Sequence, residues 1–155
     1  MSQWTYVEGK FTIRFATDYC FVKDDEKDAG FMQEPLDIYK VMMNAPRITG
    51  SESDCIFSVD ITDQAPYRYS NEDDFIYYEA KIKIKGRLRD REFETTDQEV
   101  RNFIKNLKEE TGYETKFVKG KIKVSNRPFD NFDWSDDEDY KRQIYNLGEK
   151  TEKDN

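Results

Sequence analysis

Residues 75–89 alternate apolar and polar side chains over a longer stretch than any other part of the chain. Ile76, Tyr78, Ala80, Ile82, Ile84, Gly86 and Leu88 share one parity. Tyr77, Glu79, Lys81, Lys83, Lys85, Arg87 and Arg89 share the other, and the basic row continues in sequence to Arg91. A period of two predicts a strand with one face in a core and the other in water. "YVEGKFTIRF" near the start repeats the pattern, with Val7, Phe11, Ile13 and Phe15 inward and Glu8, Lys10, Thr12 and Arg14 outward. "CIFSVDIT" predicts another strand, with Cys55, Phe57, Val59 and Ile61 inward. "KFVKGKIKVSN" predicts a fourth that buries Val118, Ile122 and Val124. Gly9 and Gly120 both fall at inward positions, which implies that a helix or large aromatic approaches the sheet there and leaves no room for a side chain.

Between the strands the period changes to that of a helix. Pro35 stands at a favoured first-turn position, Ile38, Val41, Met42 and Ala45 form an apolar stripe that Leu36 and Tyr39 widen, and Pro46 ends it. A second helix begins at Thr96–Glu99, which reads as a capping box. Its stripe is Val100, Phe103, Ile104 and Leu107, with Gly112 as the C-cap. In the acidic tail Ser135 and Glu138 form a second capping box. It predicts a short final helix anchored by Tyr140, Ile144 and Leu147. The loop after the first strand has room for a short extra strand, and residues 149–155 are expected to be disordered.

The resulting order is strand, helix, strand, strand, helix, strand, then a C-terminal helix. It predicts an α+β fold of ferredoxin-like, split βαβ layout: a four-stranded antiparallel sheet with two helices on one face. The expected division is a ferredoxin-like domain over 1–126, an acidic extension over 127–148 and a tail over 149–155. The chain's 155 residues suit one domain, its aromatics supply the core area that its 36% apolar content does not, and no stretch is long and apolar enough to span a bilayer. No signal peptide is visible at the N-terminus, and Cys20 and Cys55, without metal-ligand spacing, fit a reducing cytoplasm.

The chain has no histidine. That removes the commonest general base, the commonest metal ligand and every Ser-His or Cys-His nucleophile. Acid–base or metal chemistry would rest on Asp and Glu alone. Asp90 in "LRDRE" is flanked by Arg89 and Arg91 and is expected to form a structural ion pair at a strand end. "ITGSES" has a single glycine where phosphate loops have several, so a plain turn is expected. The expectation is a non-enzyme with no cofactor and no metal.

Four segments, "WTYVEGKFTI", "RITGSESD", "GRLRDREFETT" and "VKGKIKV", resemble a group of small proteins encoded in phage and prophage genomes. Members of that group open with a Trp-containing V-x-G strand and carry a T-G-S-E turn and an L-R-D-R-x-F segment. The resemblance covers roughly the first 125 residues in short patches and brings no functional residues with it. It implies a phage accessory protein acting in the cytoplasm of a bacterial host, of the kind that binds and inhibits a host or anti-phage defence protein.

Two surfaces are candidates for that binding. The first is basic on a chain of net charge −8: Lys81, Lys83, Lys85, Arg87 and Arg89 from the third strand with Lys119, Lys121 and Lys123 from the fourth. Lys10 and Arg14 would share the face. It suits an acidic partner, a nucleotide signal or single-stranded nucleic acid. The competing reading is a solvated face whose lysines oppose aggregation and pair with Glu8, Glu79 or the tail. Only Tyr77 is expected to offer a ring there. The second surface is the acidic run Asp130, Phe132, Asp133, Trp134, Asp136, Asp137 and Glu138, with its counterparts at 24–28 and 71–74. Its carboxylates could mimic nucleic-acid phosphates with Phe132 and Trp134 as apolar anchors, solubilise the surface, or cover the basic face. The favoured expectation is protein–protein inhibition of a host or defence component; nucleotide or nucleic-acid binding on the basic face is the alternative.

Overall fold

The computed structural model describes residues 3–18, 37–63 and 75–148. In chain order the elements are β1 (Trp4–Asp18), α1 (Ile38–Met43), β2 (Ile56–Asp63), β3 (Phe75–Arg89), α2 (Phe93–Glu109), β4 (Glu114–Ser125) and β5 (Arg142–Asn146). The five strands form one open sheet in the order β2-β3-β1-β4-β5, with every described neighbour antiparallel. The fold is α+β and mostly sheet.

The alternation places the core as expected. Val7, Phe11, Ile13 and Phe15 of β1, Tyr78, Ala80, Ile82, Ile84 and Leu88 of β3, and Ile122 and Val124 of β4 are buried. Ile38 and Met42 of α1 and Val100, Phe103 and Leu107 of α2 are buried with them. Phe103 joins the layers: its ring stacks on Phe57 at 5.5 Å and meets the edge of Phe11 at 6.4 Å. Cys55 lies in the same cluster, and burial pushes its thiol up from 9.0 to about 12. The raised value stabilises the folded protein below pH 9, and the contribution is lost as pH rises toward 12. In a Cys20→Ser background, Ellman's reagent at about pH 8 is therefore expected to label Cys55 only as fast as the protein unfolds. Immediate labelling would contradict the burial.

Five expectations are corrected. First, residues 142–146 form a fifth strand on the β4 edge in place of the last helix, because Ile122 and Lys123 of β4 pair with Tyr145 and Ile144. The Tyr145 hydroxyl donates to Asp97 of α2 at 2.6 Å, tying the new edge to the helical layer.

Second, the Thr96–Glu99 capping box does not form. Helix α2 begins earlier, at Phe93, whose ring packs on the core, and Thr96 is buried within its first turns. Glu99 instead accepts from the backbone N–H of Thr49 at 2.8 Å and from its hydroxyl. The helix C-cap is Glu110, with Gly112 two residues beyond it at φ +88°.

Third, a β-bulge between Thr12 and Ile13 in the β1–β4 pairing shifts the parity of β4. Phe117 pairs with Ile13 and turns inward against Phe11, 5.5 Å away, while Val118 is only half-buried. Fourth, α1 is capped by the Asp37 carboxylate, which accepts from the Lys40 amide at 3.2 Å. Tyr39, expected on the apolar face, is exposed. Fifth, the two inward glycines are closed in by neighbouring strands and not by a helix or ring. A Cβ on Gly9 would sit 2.7 Å from Ile122 Cγ1, and one on Gly120 would collide with the Lys10 carbonyl and Phe11 Cα.

Pro35, Leu36, Cys20, the suggested extra strand, the acidic runs at 24–28 and 71–74, and the tail 149–155 lie outside the described residues. Among the described residues, no helix is long and apolar enough to cross a membrane.

Candidate anion-binding face of the sheet

Helices α1 and α2 place their buried side chains against one face of the sheet, and among the described residues no helix covers the other. Strand register then fixes which side chains stand beside each other on that open face. Lys83 of β3, Lys10 of β1 and Lys121 of β4 lie directly opposite one another across the three central strands. Neighbouring strands are about 4.8 Å apart, so three ammonium-bearing stems start within about 10 Å. The row on one side is Lys85, Glu8 and Lys123; the row on the other is Lys81, Thr12 and Lys119. Among the described residues none of these seven lysines forms an ion pair. Like charges directly opposite on a sheet destabilise it.

The face is concave. One hollow of about 730 Å³ is lined by Lys10, Thr12, Lys81, Lys119, Lys121 and Asn146, among others. A second of about 550 Å³ lies between Glu8, Lys10, Lys83, Lys85, Lys121 and Lys123. Lys119 stays on the open side beside Thr12 in step with Lys121 and Lys123, because the bulge at Val118 shifts the parity only beyond it, from Phe117 onward.

Not every basic residue expected on the face belongs to it. Arg89 pairs with Glu52 of the "TGSE" turn. Arg91 lies beyond the strand and donates to the Thr49 hydroxyl and the Asp90 carbonyl. Among the described residues Asp90 does not make the ion pair expected of it: its carboxylate accepts from Ser51 Oγ at 2.9 Å, and its backbone adopts φ +60°. The segments "RITGSESD" and "GRLRDREFETT" thus meet in space as a structural corner. Arg14 is paired as well, with Glu79 at 2.9 Å.

Sequence reasoning missed the rings. Trp4 and Tyr6 have the outward parity of β1, and that signal was legible in the alternation itself. Arg87 lies over the Trp4 ring at 5.7 Å. Phe129, in the connection after β4, sits under the Lys123 ammonium at 5.1 Å. Its position could not be read from a period, because it belongs to an irregular segment. Tyr6, Glu8, Lys85, Arg87, Pro128 and Phe129 enclose a hollow of about 210 Å³ at this end of the face. The Tyr77 side chain, the one ring expected, lies outside the described residues.

The acidic segment is organised by its own turns. Asn126 closes its neck, donating to the Asp139 carbonyl and accepting from the Lys141 amide. Asp130, Asp133 and Asp137 each accept the amide two residues on. Arg127 pairs with Asp137 at 2.5 Å and holds that carboxyl below its usual value. Trp134 is half-buried beneath Arg127, whereas Phe132, 63% exposed, rests edge-on against it at 4.5 Å. Asp136 and Glu138 are exposed and half-buried Asp137 is spent on Arg127, so the segment does not present an even comb of carboxylates. It meets the basic face through Pro128 and Phe129, and among the described residues its acids make no ion pair with the face lysines. Comparisons with protein-family models, with curated proteins and with solved structures give no match to the chain.

Proposed function

We propose that the chain is a non-catalytic binding protein whose open sheet face takes a phosphate-bearing anion, a nucleotide or single-stranded nucleic acid. The observation that carries this is the Lys83–Lys10–Lys121 row. Three like charges held in register on the middle of a sheet cost stability, and a bound polyanion removes that cost. The hollows on either side give phosphate oxygens room to reach several lysines at once. The architecture is proposed as ferredoxin-like: the order β2-β3-β1-β4 is the one a split βαβ layout requires, with β5 added at one edge.

The test is a titration of a labelled short oligonucleotide at salt concentrations between about 50 and 200 mM. Affinity is expected to fall steeply, with a log–log slope of about −0.7 for each phosphate contact on a single strand. Binding that is absent at low salt, or indifferent to salt, would sink the proposal.

A second reading is favoured by Phe132. An exposed phenylalanine braced on Trp134 and ringed by acids is the kind of anchor that dominates protein interfaces. On this reading the protein is a phage-encoded inhibitor of a bacterial host or defence protein in the host cytoplasm, and Phe132→Ala abolishes its co-purification with that protein.

A further inference from the structure

The lysine rows account for phosphates, but they do not account for the end of the face where the rings are. There Tyr6 and Phe129 flank a hollow of about 210 Å³ whose remaining walls include Pro128, the Lys85 and Arg87 side chains and Glu8. Glu8 is the unexpected member. It is the lone carboxylate among the residues of the three lysine-bearing rows on β1, β3 and β4, standing directly between Lys85 and Lys123. It also lines the neighbouring basic hollow and the one beneath Phe132 and Trp134. Among the described residues its carboxylate forms neither a hydrogen bond nor an ion pair. A carboxylate repels phosphate, so a face built only for phosphates has no use for one at its junction.

We propose that this end of the face seats a nucleobase, stacked on Tyr6 and Phe129, with its N–H edge on the Glu8 carboxylate. The inference rests on the nucleic-acid reading of the lysine rows and specifies it. An ionised carboxylate only accepts hydrogen bonds, so it selects a base edge that presents donors. Guanine offers two side by side, on N1 and N2, which match the two oxygens of one carboxylate; uracil offers a single one. The strand then runs from the rings along β1, and its phosphates pass over Lys10, Lys83 and Lys121 and into the hollow at Lys81 and Lys119. Two-residue steps of about 6.8 Å place the far lysine row about 20 Å from Tyr6, the reach of a short extended strand. A base that stacks on side-chain rings must be unstacked from its neighbours, so a duplex does not fit this site.

The test compares uridine oligonucleotides in which one central position is guanosine, inosine, uridine or an abasic linker. With the unaltered protein the guanosine strand is expected to bind most tightly, inosine less, and the abasic strand on the order of tenfold more weakly, the loss of one stack. Glu8→Gln is expected to erase the preference for guanosine over uridine while strengthening overall binding, since a negative charge is removed. Phe129→Ala, which alters a half-buried loop ring and leaves the sheet intact, is expected to weaken all base-bearing strands and leave the abasic one unchanged. Equal binding of the four strands, an unchanged guanosine preference in Glu8→Gln, or equally tight binding of polyglutamate overturns the proposal. Absence of a guanosine preference in the unaltered protein, with salt-dependent binding retained, sinks the base site alone. Failure of every strand to bind sinks the phosphate reading as well.

Discussion

Lys10→Glu is expected to make the free protein more stable and its grip on an anionic strand weaker. The two effects have one cause. Lys10 is the middle member of the Lys83–Lys10–Lys121 row, so each outer lysine faces it directly on an adjacent strand. A glutamate there replaces two repulsive cross-strand pairs by two attractive ones, each pair carrying roughly 0.2–1 kcal/mol. The sum is about 1 kcal/mol, or a rise of about 2–4 °C in melting temperature for a chain of this size. The same change removes a cation from the centre of the proposed site and puts an anion where a phosphate should lie. Binding of an oligonucleotide at low salt is expected to fall on the order of ten- to a hundredfold, with a shallower salt slope. Stability gained and function lost together distinguish a binding face from a solvated one. On a merely solvated face the first effect appears without the second, because no ligand is there to lose. Thermal melts and anisotropy titrations of the same variant decide between them, and a variant that melts lower than the parent contradicts the register itself.

How far the site was legible depends on whether a regular period carried it. The alternation from Tyr78 to Leu88 specifies which side is core, because a one-residue slip would bury five charges. The parity of Lys10, Lys83 and Lys121 follows from the same rule, although their lateral alignment does not: register depends on pairing between strands distant in sequence. Trp4 and Tyr6 share the parity of Lys10 on β1 and are legible from it. Other features were hidden for physical reasons. Thr96–Glu99 has the residues of a capping box, but Phe93 gains more by packing on the core, so the helix starts a turn earlier and Glu99 turns to Thr49. Ser135–Glu138 is the same signature without a helix, since Asp133 accepts the Ser135 amide and Asp130, Asp137 and Asn126 hold the amides around it in turns. The strand at Arg142–Asn146 is only five residues long and needs β4 beside it to exist. Nothing in its own sequence overrides the apparent helical spacing of Tyr140, Ile144 and Leu147.

Gly120→Ala is expected to destabilise the protein by about 3 kcal/mol or more, lowering its melting temperature by about 10 °C. Two costs add. The backbone at Gly120 has φ +125°, a region that L side chains rarely adopt, and strain of this kind costs on the order of 1–3 kcal/mol. The methyl group would also collide with the Lys10 carbonyl and with Phe11 Cα and Cβ. Those are mostly backbone atoms of the adjacent strand, so no rotamer change relieves them, and β4 must move away from β1. Gly112 separates the two costs: it has φ +88° but nothing within 4 Å of a built Cβ. Gly112→Ala should therefore pay only the backbone strain, about 1 kcal/mol. The consequence for the face follows from what Gly120 holds in place. It lies between Lys119 and Lys121, directly opposite Phe11, and its carbonyl accepts the Leu147 amide at 2.9 Å, anchoring β5. Moving β4 outward separates Lys119 and Lys121 from Lys10 and opens both basic hollows, which Gly120 lines. Below its melting temperature, Gly120→Ala should thus also bind an oligonucleotide more weakly than Gly112→Ala, although no charge has changed. Equal melting temperatures for the two variants would mean that Gly120 does not face Phe11, and the alignment of the three lysines would fall with that register.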